Sequence, residues 1–575
     1  MQRSSTFLAT LGLVAAAAIP VSAATFGAGT PTRAIVARVP QLAHTRDLGE
    51  AAGSTRMNLA IALTLRNKPT LDALVAAQAN PSSPMYRHYL TREQLRDSFG
   101  PSSADYARTI ASLRRAGFSV SRTSPLRTMI DVTGSVSTIE RYFNTSIHRV
   151  EDSQTRRTYL ANAAPARVPV DAAALTTVGG LSTVPLLQNS FTAVNGTKGK
   201  KKSATTKPLA SPLALPTIAP TKSLLLGPDL GYSPQALVGD YSMLSKKGIL
   251  GNGVTVADLL DANWDDTFDV APYFTTFGIK RVNPTTKFIT IDGGCATSFC
   301  DDSFGGVIDV ESIVGVAPGV NYEVYEVPYL SFAYILDGLD RVLVDDSADI
   351  VNISFGGCET IFGESAVEAD QQFEEGSALG ITFTSVSFGS ANPCGGTNFS
   401  TQAPADSSFV LSVGAADTSI SPETLQPTLP GVGDSGSGGG VSQIFELPYY
   451  QKGVVPYNYG RNVPDLAGPG SIDGASPSIY YGSYGGWVGG VFEFPFVNNA
   501  PFTGALASIA ASQHQRLGNV NPQLYAAFKK TGYTDFIDVT TGCNSFSPGA
   551  PFCATAGYDN VTGIGSPIFS QLVYI

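Results

Sequence analysis

Histidine is scarce: there are four in 575 residues, and His44, His88 and His148 fall within the first 150 positions, leaving His514 alone beyond them. A serine–histidine–aspartate arrangement needs a histidine beside its nucleophile. His514 sits late in a helix-like run at 502–515 and reads as a helix-surface residue. Cysteine is sparse too, at six residues, with no CxxC spacing and no neighbouring histidine to build a zinc site. A phosphate loop is missing, because glycine-rich 436–440 lacks the lysine and helix it would need. Beyond 7–19 no stretch approaches the roughly 18 apolar residues of a membrane span, so no membrane anchor is expected.

Cations are the other deficit, and it is one-sided. Residues 221–575 hold 12 Lys+Arg against 36 Asp+Glu, a net of −24, while residues 1–220 hold 25 against 11, a net of +14. The basic residues of the first part are scattered along amphipathic elements, and only 198–202 form a cluster, which reads as linker; no nucleic-acid partner is expected. Opposite charge predicts that the two parts attract through ion pairs. Such pairs would weaken as pH falls through about 4, where carboxylates protonate and arginines stay charged.

What is present describes an ordinary globular chain, 43% hydrophobic and 15% charged, long enough for two or three domains. Arg3, the apolar run 7–19 and the small-residue site Val21-Ser22-Ala23 predict a secretory signal peptide over 1–24, hence a secreted protein, extracellular or periplasmic. In that setting six cysteines favour disulfides, and they allow 15 connectivities. The working expectation joins neighbours: Cys295 with Cys300, Cys358 with Cys394, Cys543 with Cys553.

Strand-like 57–66, a helix over 70–79, a capping box of Thr91 with Gln94, a helix over 103–116 stopped by Gly117, then strand 128–133, helix 136–143 and strand 146–150 predict a compact α/β domain. Residues 194–223, rich in Lys, Pro, Ser and Thr without periodicity, read as a protease-accessible linker. Strands and helices alternate beyond it, as in a parallel sheet covered on both faces. Within 303–319, SFGGVIDVESIVGVAPG, the carboxylates Asp309 and Glu311 precede an apolar helical run; on composition alone such an acidic pair is a solvated turn.

The pattern D-x-E followed by A-P-G and a strand at 321–327, with PSSPMYRHYLTREQLRDSFGPSS at 81–103 and IDVTGSVSTIERYFNTSIHRV at 130–150, resembles the sedolisin family of serine-carboxyl peptidases. Further matches are APADSSFVLSVG at 403–414, GGGVSQIFELPYYQ at 438–451 and Asn462-Val463-Pro464-Asp465. The resemblance implies a subtilisin-like α/β fold, a parallel sheet with helices on both faces, preceded by a ferredoxin-like α/β prodomain that acts as an inhibitory prosegment. The implied layout is signal peptide 1–24, prosegment 25–193, linker 194–223 and peptidase-like domain 224–575.

In that family a Glu one helical turn before the Asp shares a proton with it and activates a Ser, and a second Asp stabilises the oxyanion. By resemblance the Asp is Asp309, but the Glu position is Gly305 and the oxyanion position is Gly389, after Phe388. The nucleophile position is Val497, or Phe492 in another register, and the nearby hydroxyls of Ser483 and Thr503 do not occupy it. The expectation is a secreted pseudopeptidase that binds a peptide or protein ligand and its own prosegment. The alternative is an active acid endopeptidase with displaced groups, Asp301 or Asp302 standing in for the Glu. Tyr480, Tyr481, Tyr484, Trp487, Phe492, Phe494 and Phe496 are expected to line or plug the groove, with core packing the competing reading.

The resemblance also implies one calcium ion near the C-terminus. Asp538 and Asp559 would give carboxylates, and Val539, Thr555 and Gly557 carbonyl oxygens, a hard-oxygen set suited to that ion.

Overall fold

The computed structural model describes residues 32–36, 45–153, 156–169, 174–185, 188–189, 226–229, 231–295, 303–387, 401–417, 432–433, 436–470, 477–487, 498–544 and 552–575. The expected signal peptide and linker lie outside these residues. The N-terminal part is built on an antiparallel sheet of β1 (Arg56–Leu63), β2 (Ser119–Thr123), β3 (Met129–Ser135) and β4 (Leu175–Gly179), in the order β2-β3-β1-β4. Its helices are α1 (Lys68–Gln78), α2 (Arg92–Ser98), α3 (Ser103–Ala116) and α4 (Val136–Phe143). Their ends follow local chemistry. The Thr91 hydroxyl accepts from the Gln94 amide while the Gln94 side chain accepts from the Thr91 amide. Gly117 closes α3 at φ 103°, a left-handed position that glycine adopts without a Cβ clash.

The C-terminal part is organised by a sheet covered by helices on either side, its strands buried on both faces except for the short outer ones at 287–290 and 432–433. The strands are β6 (Thr255–Leu260), β7 (Lys287–Thr290), β8 (Asn321–Glu326), β9 (Ile350–Ile353), β11 (Thr382–Val386), β13 (Val410–Asp417), β14 (Val432–Gly433) and β15 (Leu466–Gly470). Their order is β7-β8-β6-β9-β11-β13-β14, with β15 also paired to β13; all pairs are parallel except β13 with β14. The helices that matter for the site are α5 (Ser303–Val316), α6 (Phe332–Asp345), α7 (Glu364–Ala378), α8 (Ala500–Gln513) and α9 (Asn521–Thr531).

Helices α5 and α8 pack closely because Gly504 brings its backbone against Ile313 and Val316; a Cβ there would meet the Val316 side chain at 2.4 Å and the Ile313 carbonyl at 2.7 Å. Gly504→Val should therefore separate the helices and destabilise the fold by about 1–3 kcal/mol, which chemical denaturation would measure. An unchanged midpoint would contradict this contact.

A third, small sheet joins the two parts. The prosegment's end, β5 (Gln188–Asn189), runs antiparallel to β10 (Phe355–Cys358), which pairs on its other side with β12 (Gln402–Ala403). Cys543 and Cys553 form the expected disulfide. Cys295 and Cys358 are also disulfide-bonded, and their expected partners Cys300 and Cys394 lie outside the described residues.

Candidate active site and C-terminal cation site

Asp309 and Glu311 are not on a solvated turn: both lie inside α5, each 1% exposed. The helix begins at Ser303 and takes the two carboxyls in different directions, as an i, i+2 spacing requires. Asp309 Oδ1 accepts a 2.8 Å hydrogen bond from the Ser354 hydroxyl, at the junction of β9 and β10. Glu311 Oε2 instead accepts from the Tyr480 amide at 3.1 Å, and burial, with Asp229 nearby, holds its carboxyl well above the usual range.

Gly305 lies in the same helix, one turn before Asp309, and carries no side chain. Gly389 and Val497, with Phe388 and Phe492, lie outside the described residues, as do Asp301 and Asp302. Thr503 is described, and its hydroxyl is engaged by Asn352 Oδ1 at 3.0 Å, the Asn499 carbonyl at 3.1 Å and Thr384 Oγ1 at 2.6 Å. The Ser483 amide donates to Asp269 at 2.8 Å.

Behind Asp309 runs a buried polar network that sequence reading missed. Asn352 Nδ2 donates to Ser354 Oγ at 3.0 Å, and Asn352 Oδ1 accepts from Asn499 Nδ2 at 2.8 Å. Asp258, from the middle of apolar β6, accepts from the Tyr322 hydroxyl. Burial pushes its carboxyl up to about 7, although hydrogen bonds from Tyr322 and Asn352 pull it back. The signal available in the sequence was a single aspartate inside an apolar strand, a residue type that strands exclude unless it is paired or protonated.

Of the aromatic residues expected at the groove, those described pack against one another and against rings of neighbouring helices. Trp487 meets Tyr273, Phe277 and Tyr480, while Tyr481 and Tyr484 stack at 5.7 Å against Phe304 at the start of α5. Tyr484 remains 58% exposed. Phe494 and Phe496 lie outside the described residues.

The C-terminal turn brings the five expected calcium residues together. Asp538 Oδ2 accepts from the Gly557 amide at 3.2 Å, and Asp559 Oδ2 accepts from the Thr555 amide at 3.0 Å. The Thr562 hydroxyl bridges Asp559 Oδ2 at 3.1 Å and the Val539 carbonyl at 3.5 Å. Burial raises the Asp559 carboxyl, and burial with Asp538 and Asp559 raises the Tyr533 phenol. Among the described residues no Lys or Arg forms an ion pair with either aspartate, and no group of three or more His, Cys, Asp or Glu is placed to hold a metal. Two carboxylates held by one turn supply hard oxygen donors of the kind a calcium ion takes.

A parallel, helix-covered sheet carrying a buried carboxylate on its central helix, with an N-terminal α/β domain whose tail pairs with an edge strand, defines a subtilisin-like peptidase fold joined to an activation domain. The comparisons agree. The pro-kumamolisin activation domain matches residues 43–184 and the subtilase family matches residues 294–499. Kumamolisin of Bacillus sp. (strain MN-32) is 27% identical over 92% of this chain and 93% of its own length. Sedolisin of Pseudomonas sp. (strain 101) is 27% identical over 96% and 92%. Xanthomonalisin of Xanthomonas sp. (strain T-22) is 26% identical over 89% of this chain, which spans only 64% of that protein. The solved structure of Pseudomonas sedolisin complexed with two molecules of pseudo-iodotyrostatin superimposes with a TM-score of 0.51 at 22% identity, covering 60% of this chain and 97% of that one. Over most of its length the chain is thus similar to peptidases of the sedolisin type.

Proposed function

We propose that this chain is an exported sedolisin-family protein that binds a peptide segment along β10 and does not cleave it. The observation that carries the reading is Gly305: one turn before Asp309, where the paired carboxyl would have to stand, the helix bears a glycine. Asp309 alone has no second carboxyl at that position to share its proton, and general-base activation depends on a suitably placed and tuned group. The substitutions at Gly389 and Val497 act in the same direction, removing an oxyanion partner and a hydroxyl.

Binding would use the edge that the prosegment tail already occupies. Asn189 lies opposite Phe355 and Gln188 opposite Gly356, so a peptide in the same antiparallel register would take over those main-chain bonds. Because the tethered tail competes at an effective concentration of about a millimolar, a free peptide of the 183–192 sequence should bind the full chain weakly. It should bind at least about tenfold better once Gln188 and Asn189 are both replaced by proline, which cannot donate to the ladder. Equal affinity by calorimetry would place the peptide elsewhere.

The deciding assay is incubation of the purified chain with denatured protein across the acid range. Expected is no substrate cleavage and an unchanged mass. Cleavage, or a fragment beginning within 194–223 that forms despite inhibitors of contaminating proteases, would establish the second reading, an acid endopeptidase with displaced groups. One observation favours that alternative: Ser354 Oγ is within hydrogen-bond distance of Asp309. Ser354→Ala would then abolish cleavage.

The same reading includes one calcium ion held by Asp538, Asp559 and the carbonyls of Val539, Thr555 and Gly557. A ligand bound only by the folded state stabilises it, by about 2.7 kcal/mol at a hundred times its dissociation constant. Chelation should lower the melting temperature, and Asp538→Ala should remove the difference between calcium and chelator. Identical melting curves for the unmutated chain in both conditions would end the calcium assignment.

A further inference from the structure

The charge split predicts ion pairs between prosegment and peptidase-like domain that would loosen in acid; the joint itself has a different composition. On the prosegment side, Arg122 reaches across to Asp337 at 3.0 Å and to Asp340 at 2.5 Å, both on α6, while also holding Asp131 of β3. Lys68 at the start of α1 reaches Glu374 of α7 at 2.6 Å and also contacts Asp72.

Carboxyls exceed these two cations. From α7, Glu368 and Glu375 join Glu374 in the joint, all at most 1% exposed. Gln371 stands between Glu368 and Glu375 on one helix face, donating to them at 3.4 and 3.3 Å and to the Leu63 carbonyl of β1 at 3.5 Å. That hydrogen bond orients the acidic face of α7 toward the prosegment. From α6 come Asp337 and Asp340, the latter also accepting from Ser124 Oγ at 2.7 Å. Asp292, after β7, faces Asp131 and Asp337, with the Tyr334 and Tyr106 phenols beside them. Asp72 and Asp131 complete the acids on the prosegment side.

A buried carboxylate without a cation is costly, and the group takes up a proton instead. We propose that this joint is a proton-dependent clamp, closed by protonated carboxyls trapped between the prosegment and α6–α7 and loosened as pH rises. Burial pushes Glu368 up to about 8 and holds Glu375 well above the usual range, neither having a cation beside it, and it raises Glu374 and Asp337 as well, against the opposing pull of Lys68 and Arg122. Each such group has a higher pKa docked than free, so docking takes up protons. The clamp is tight below the ordinary carboxyl range and weakens as pH rises toward the docked values. Per group, the weakening approaches tenfold per pH unit within that window. The inference concerns the regulation of the prosegment and does not depend on whether the site cleaves.

The test is hydrogen–deuterium exchange of the full chain at mildly acidic and mildly alkaline pH, corrected for intrinsic exchange. Protection of α1 and α7 should fall at least about tenfold at the higher pH, while the central strand β9 keeps its protection. Glu368→Gln, a neutral isostere, should restore protection at the higher pH, and Glu375→Gln serves where the first variant does not fold. Constant protection, greater protection at the higher pH, a parallel loss in β9, or variants that keep the unmutated chain's response would each overturn the clamp.

Discussion

Replacing Asp465 with alanine is expected to destabilise the peptidase-like domain by about 3–5 kcal/mol, enough to abolish folding in a marginal chain. Asp465 receives both arms of Arg461, at 2.7 and 2.6 Å, and both side chains are fully buried. The same carboxylate accepts from Tyr525 of α9 at 2.9 Å and from the Ser412 amide of β13 at 2.9 Å. Arg461 also donates to the carbonyls of Ser407, Asn462 and Val410, so the pair ties a loop, a strand and a helix together. Removing the aspartate leaves a buried guanidinium without its counter-charge, which costs more than the lost bonds alone. The Asp465 carbonyl accepts from Ile564, so the damage should also reach the turn that carries Asp559. A chemical-denaturation midpoint within error of the unmutated chain would refute this assignment, and a reduced calcium response in a folded variant would support the link to the turn.

The second large effect is on pH. Asp258 and Glu311 have folded-state values above those of the unfolded chain, so the folded state holds their protons. Their contribution is fully present below the ordinary carboxyl range and is lost as pH rises through the folded values, which for Asp258 means through about 7. For Asp258 alone the loss is of the order of a few kcal/mol. Thermal midpoints should therefore be higher in mild acid than in mild alkali. Asp258→Asn keeps an acceptor for Tyr322 and cannot ionise, so it should flatten that slope in proportion. An Asn variant with the slope of the unmutated chain would show that another group sets it.

Sequence alone carried much of the N-terminal part. The Thr91–Gln94 capping box, the Gly117 stop and the alternating strands of β1 and β3 depend on neighbours a few residues away, and they occur where spacing places them. The disulfide between Cys543 and Cys553 was legible for the same reason of proximity, and Asp538 with Asp559 came from resemblance and converge on one turn. The acidic pair at Asp309 and Glu311 read locally as solvated, because nothing in the pattern says what covers a helix. Burial was decided by sheet and helices folding over it from both sides. Ser354, just after β9, meets Asp309 from outside its helix, and Asp258 of β6 comes beside Asn352 of β9 through the parallel register of β6, β8 and β9.

Charge gives the sharpest division. The sequence fixes the amount, basic before residue 220 and acidic after it, and from this alone acid should loosen the two parts. Only the tertiary structure decides which charges meet: at the joint Lys68 and Arg122 pair with Glu374, Asp337 and Asp340, while Glu368 and Glu375 are enclosed with no cation beside them. A net charge counts ionised groups in water, whereas a carboxyl enclosed without a cation keeps its proton; desolvation, which no composition records, therefore sets the sign of the pH response.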